Sequence, residues 1–155
     1  MDGGSMTRAV FAIAAFIMLG LTGPASAQPV VLITEPEANL PALPTESLTT
    51  RAGVTRGPKV VLLSPSSAAD VKSPLHLRLK FETFGGAKVD LSSVRVTYLK
   101  NPTVDLTKRL TASTQADGID LAAAEIPPGV HHIRVNVKDS EGRAGAASFA
   151  LKVAR

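Results

Sequence analysis

The sequence predicts an all-β fold: an antiparallel β-sandwich of six to seven short strands, preceded by an irregular N-terminal arm. Three observations predict it. From Lys59 onward, apolar residues recur with a period of two, which places them on one face of successive strands. Turn formers interrupt that pattern at short intervals, as at Ser64-Pro65, Gly85-Gly86, Asp117-Gly118 and Pro127-Pro128-Gly129. No later stretch carries the period of a long helix, and the connections are too short for parallel crossovers.

The elements follow in order. Val60 to Leu63 form a first strand that ends at Ser64-Pro65. Leu75, Leu77, Leu79 and Phe81 alternate with His76, Arg78, Lys80 and Glu82 in the clearest one-sided strand of the chain. After Gly85-Gly86, Val94, Val96 and Tyr98 alternate with Arg95 and Thr97, and Asn101-Pro102 ends that strand. Residues 105–115 leave two alternatives open: Asp105 caps one helical turn through Leu110, or the piece is a short edge strand. A strand over 119–126 is led by Ile119 and Leu121. Ile133, Val135 and Val137 then face inward while His132, Arg134, Asn136 and Lys138 face out. Asp139-Ser-Glu-Gly142 turns the chain into a closing strand of Ala147, Phe149, Leu151 and Val153.

Upstream of the sandwich the composition changes. Residues 28–57 carry four prolines, Pro29, Pro36, Pro41 and Pro44, and Gly57-Pro58 closes the stretch. Spaced prolines exclude a long helix and a central strand, leaving room for one short edge strand at 30–34. This arm either packs on the domain or tethers it, and its composition favours a partly mobile segment.

The N-terminal residues read as an export signal. Met6-Thr-Arg8 is a positive n-region, Ala9 to Leu21 an apolar run of thirteen residues, and Ala25-Ser26-Ala27 a small-residue cleavage site. A helix of that length spans about 20 Å, short of the roughly 30 Å hydrocarbon core. Gly23-Pro24 breaks it just before the scissile bond. Residues 1–5 are extra upstream residues, since Asp2 does not suit an n-region. The expected domain plan is a signal peptide over 1–27, a proline-rich arm over 28–57 and a sandwich domain over 58–155. The chain contains no cysteine, and Gln28 stands where lipidation needs one, so the expected product is periplasmic or secreted and not a lipoprotein. Membrane contact is expected only through the signal peptide during export.

The segment Ile126-Pro-Pro-Gly-Val-His-His-Ile-Arg-Val-Asn-Val-Lys-Asp-Ser-Glu-Gly-Arg143, followed by Ala147 to Val153, resembles the last two strands of bacterial immunoglobulin-like domains. In those domains a Pro-Gly turn leads into a long strand, an Asp-x-x-Gly turn follows, and a Phe-x-x-x-Val strand closes the sheet. Leu63-Ser-Pro65 and Ser73-Pro-Leu75 look like their opening strands. The resemblance covers residues 59–154. It implies an immunoglobulin-like sandwich and attaches no activity to it. The chain is also distantly similar to periplasmic copper-binding sandwich domains, which use a His at the mature N-terminus and a His after the Asp-Gly turn. Here Gln28 stands at the first place, and Asp139-Ser-Glu-Gly-Arg143 holds no His at the second.

Composition narrows the chemistry. The absence of cysteine removes disulfides, thiolate metal sites and a Cys nucleophile. Residues 58–155 carry fourteen Lys/Arg against nine Asp/Glu, a mild excess without basic runs or interleaved aromatics, which gives nucleic-acid binding no support. His131 and His132 are adjacent on a strand and point to opposite faces, so they do not share one ion easily. His76 belongs to the opposite sheet. Asp117, Asp120, Asp139 and Glu141 have ordinary turn roles and form no calcium loop. There is no Gly-x-Ser-x-Gly elbow, no Ser-x-x-Lys and no glycine-rich phosphate loop. Glu125 with Asp120 is the remaining carboxylate pair, on a strand face where acids are commonly just solvated.

What remains is surface. In a sandwich, end loops and edge strands are the usual binding places, which makes 84–90, 100–107 and 139–145 the candidate loops. Their candidate partner-binding residues are Phe84, Lys88, Lys100, Lys108, Glu141 and Arg143. Phe84 is either a core residue at a strand end or an exposed anchor. The expected function is a non-enzymatic binding or structural module of the cell envelope, with a protein or polysaccharide partner and no cofactor. The alternative is a periplasmic metal-handling protein, motivated by the His131-His132 pair.

Overall fold

The computed structural model describes residues 28–43, 56–66 and 70–155. The predicted signal peptide and residues 44–55 and 67–69 lie outside them. In chain order the elements are β1 (Val30–Val31), α1 (Glu35–Ala38), β2 (Lys59–Ser64), β3 (Asp70–Val71), β4 (Leu75–Glu82), β5 (Val89–Tyr98) and β6 (Val104–Asp105). They continue with α2 (Thr107–Leu110), a 3₁₀ turn over Thr111–Ser113, β7 (Thr114–Gln115), β8 (Gly118–Glu125), β9 (Gly129–Asp139) and β10 (Ala144–Val153). The six long strands are the six that the period-two pattern predicts.

Two sheets form an all-β sandwich. The first runs β1-β8-β4-β2, with β7 also paired to β8, and the second runs β3-β10-β9-β5-β6. Thus β2, β4 and β8 share one sheet and β5, β9 and β10 the other, which is the strand distribution of an immunoglobulin-type sandwich. All pairs among the six long strands are antiparallel. The uniform antiparallel expectation needs correction at two short edge pairs: β1 lies parallel to β8 and β3 parallel to β10. Neither follows its partner directly in the chain, so a short connection imposes no antiparallel constraint on it.

The core is the sum of the inward positions. Leu75, Leu77, Leu79 and Phe81 of β4 face Val94, Val96, Ile133, Val135, Val137 and Leu151 of the other sheet in one buried cluster. Strand β5 starts earlier than its alternation suggests. Asp90 pairs with Lys138 but Arg95 with Asn136, so the register shifts in a bulge over residues 91–94, with Val94 still facing the core. The bulge is held by Asp90, whose carboxylate accepts from the Ser92 amide at 3.0 Å and the Ser92 hydroxyl at 2.6 Å. Residues 104–115 combine both alternatives left open: β6, one turn of helix, a 3₁₀ turn and β7.

The arm is built into the fold over residues 28–43. Leu32 and Ile33 are 0% and 1% exposed and belong to the core cluster, and their amides donate to the Glu125 carbonyl at 2.9 and 3.3 Å. Thr34 and Glu37 form a capping box at the start of α1. Arg109 of α2 donates to the Leu32 carbonyl at 2.8 Å and forks onto both Glu37 oxygens at 2.8 and 2.7 Å. Lys100 donates to the Ala38 and Leu40 carbonyls at 2.8 and 3.0 Å, and the Asn101 amide donates to Pro41. One segment therefore covers the β8 edge and reaches the end of β5.

The forked Arg109 holds the Glu37 carboxyl down to about 2. A carboxylate depressed in the folded state stabilises it above its ordinary value, and that contribution disappears as pH falls from about 4.5 towards 2. Glu37→Gln is expected to lower stability by about 1–3 kcal/mol near neutral pH, because a charge-assisted fork becomes at best a neutral hydrogen bond. A urea double-mutant cycle with Arg109→Met checks it. A coupling near zero would show that the ion pair does not hold the arm.

Candidate functional site

Four of the six candidate residues come together at one end of the sandwich, between the β4–β5 and β9–β10 connections. The second connection is organised by Asp139, which is 3% exposed. One of its oxygens accepts from the amides of Glu141 and Arg143 at 3.0 and 2.9 Å, and the other from the Arg143 guanidinium at 2.7 Å. Burial alone would raise this carboxyl. The Arg143 ion pair and the two amides overcome that and hold it below its usual value.

Arg143 also ties the two loops together. Its guanidinium donates to the Phe84 carbonyl at 3.1 Å and lies 3.2 Å from Glu141. The Lys88 amide donates to the Ser140 hydroxyl at 3.2 Å, and the Ser140 amide donates to the Lys88 carbonyl at 2.7 Å. The first loop turns at Gly85 and Gly86, with φ of +68° and +77°, conformations that side chains other than glycine rarely adopt. That turn leaves Phe84 50% exposed. Of the two readings of Phe84, the structure selects the exposed one.

Lys100 and Lys108 do not join this cluster. Lys100 is the anchor of the arm, and its ammonium sits 5.6 Å from the centre of the Tyr98 ring. Lys108 is exposed on α2, beyond β6 at the far edge of the second sheet. The sequence marked both as loop cations, but the packed arm, invisible in local composition, decides what Lys100 touches.

The histidines are separated as their strand positions require. His132 is on the outer side of β9, while His131 is 2% exposed on the inner side. Both His131 nitrogens are engaged: Nδ1 lies 2.8 Å from the Tyr98 hydroxyl and Nε2 2.8 Å from the Pro127 carbonyl. This arrangement fits the neutral ring with its proton on Nε2, donating to Pro127 and accepting from Tyr98. Burial pushes the His131 pKa down and the Tyr98 pKa up to about 12. Tyr98 and His131 are 0% and 2% exposed and hydrogen-bonded, so the pair is a satisfied core network. His76, on the outer side of β4 in the first sheet, lies 2.6 Å from Asp120. Among the described residues no group of three or more His, Asp or Glu side chains is placed to hold a metal ion.

Sequence reasoning missed the Tyr98–His131 pair, the Glu37–Arg109 clasp and the outer-face grouping of Gln115, Asp117 and Asp120. Only the first had a local signal: one Tyr and one His at inward-facing strand positions. No protein-family model, no curated protein and no solved structure matches this chain.

Proposed function

We propose that the chain is a non-enzymatic, exported binding module of the cell envelope that engages its partner through the end of the sandwich bearing Phe84, Lys88, Glu141 and Arg143. The observation that supports this reading is the pairing of an exposed aromatic side chain with a pre-organised loop. Arg143 and Asp139 fix the loop, while Phe84 projects from a two-glycine turn beside it. Aromatic and arginine side chains are the ones enriched at interface centres, and Phe84 and Arg143 supply one of each. Export rests on the n-region, apolar run and Ala25-Ser26-Ala27 site read from the sequence.

The test uses the chain from Gln28 onward, which contains every described residue. A photo-crosslinking amino acid placed at Phe84 is expected to trap one discrete species in an envelope fraction. Phe84→Ser combined with Lys88→Glu should reduce recovery of that species by about tenfold in affinity capture, with unfolding midpoints unchanged. Equal recovery by the double variant would remove this end as the binding surface. Turnover of a substrate in a broad hydrolase screen would overturn the non-enzymatic reading.

A further inference from the structure

The outer face of the first sheet carries a second arrangement that the end loops do not use. A cleft of about 290 Å³ is lined by Leu63 of β2, Arg78 and Lys80 of β4, Gln115 of β7, Asp117 of the β7–β8 turn, and Gly118 and Asp120 of β8. Register explains why these side chains meet. Arg78 pairs with Asp120, Lys80 with Gly118, and Gly118 with Gln115, so the outward positions of three adjacent strands fall into two rows. Gly118 leaves its place in one row empty. A Cβ there would fall 1.9 Å from the Leu79 carbonyl oxygen, so the close approach of β8 to β4 requires glycine.

The polar groups lining it are of two kinds. Asp120 is pre-positioned: its oxygens lie 2.6 Å from His76 Nε2 and 3.4 Å from Arg78 Nε. The side chains of Gln115 and Asp117 have no hydrogen-bond partner among the described residues, although both line the cleft. Charge is balanced, with Arg78 and Lys80 against Asp117 and Asp120. An anionic ligand would meet two carboxylates and a cationic one two cations. A neutral ligand whose groups each donate and accept would satisfy all of them. Leu63, 49% exposed, adds an apolar wall beside the polar row, as small-ligand sites commonly combine the two.

We propose that this cleft is a subsite for one unit of a neutral polysaccharide. The hydroxyls would bridge Asp117, Gln115 and Asp120, and the aliphatic face of the sugar ring would lie on Leu63. The inference rests on the binding-module reading but on none of the residues tested for it.

The experiment titrates the ¹⁵N-labelled chain from Gln28 onward with maltohexaose, cellohexaose and chitohexaose, and with hexagalacturonate as the anionic comparison. At least one neutral hexamer is expected to shift the amides of Arg78, Gln115, Gly118 and Asp120 saturably, with Kd of about 1 mM. Gln115→Ala with Asp117→Ala, which removes no described hydrogen bond, should weaken that binding by about tenfold. No saturable shift by any neutral hexamer up to about 20 mM overturns the proposal. So do tighter binding of the galacturonate, shifts confined to the Phe84 end, or an unchanged Kd in the double variant. Any of these leaves crosslinking at Phe84 unaffected, so the two readings fail separately.

Discussion

Leu32→Ala is expected to lower the unfolding free energy by about 2–5 kcal/mol, an effect of the size seen for core leucines in central elements. Leu32 belongs to a proline-rich stretch whose composition suggests a tether, yet it is 0% exposed and in the same cluster as β4 and β9. Its removal forfeits transfer free energy and leaves a cavity in the core cluster. The neighbouring backbone cannot easily collapse into it. The Leu32 amide is bonded to Glu125 and its carbonyl to Arg109, which fixes the segment from both sides. Ile33→Ala should behave similarly and Val31→Ala should not, because Val31, at the end of β1 just before them, is 47% exposed. Urea unfolding of the three variants checks the pattern. Three small and equal shifts would mean that residues 28–43 are an accessory, and that the sandwich is complete without them.

How much of this was legible depends on whether the signal was local. Strands β4, β9 and β10 announce themselves because one face is buried and the other wet, so every second residue must be apolar. In β5, residues 91–93 break the alternation because the bulge sets extra residues between the Asp90–Lys138 and Arg95–Asn136 pairs. A period-two pattern has no way to represent extra residues opposite one partner. The arm was illegible for a different reason. Val30-Val31-Leu32-Ile33 is equally compatible with an edge strand and with a loose apolar run. What decides is Glu125 and Arg109, about 90 and 77 residues away in sequence. The candidate site divides in the same way. Phe84, Lys88, Glu141 and Arg143 sit in turns that the sequence marks, and a sandwich brings those turns to one end. Gln115, Asp117 and Asp120 converge with Leu63 and Arg78 only through cross-strand register, which pairing sets and composition does not reveal.

The buried Tyr98–His131 pair yields the second large effect, and it separates two contributions by pH. Tyr98→Phe should lower stability by about 1–3 kcal/mol near pH 7.5, because His131 Nδ1 then lacks its donor in a dry interior. The aromatic volume is kept, so the loss reports the hydrogen bond and not a cavity. The imidazole supplies the pH dependence. Burial holds its pKa below the ordinary value of 6.5, with the Lys100 ammonium adding repulsion, so the unfolded chain accepts a proton that the folded chain refuses. The sign follows from that difference: this contribution is complete above about 6.5 and is lost as pH falls from 6.5 through the folded pKa. It therefore precedes the Glu37 contribution, which disappears only below about 4.5. Protonation would also place a hydrogen on Nδ1 against the Tyr98 O–H, and that hydroxyl would have to turn and accept. Urea midpoints taken from about pH 7.5 to about pH 5 should fall in the parent chain and stay nearly level in His131→Gln. A parallel decline in both would assign the acid sensitivity to other groups, and the pair would then be a hydrogen-bond network without a titration to report.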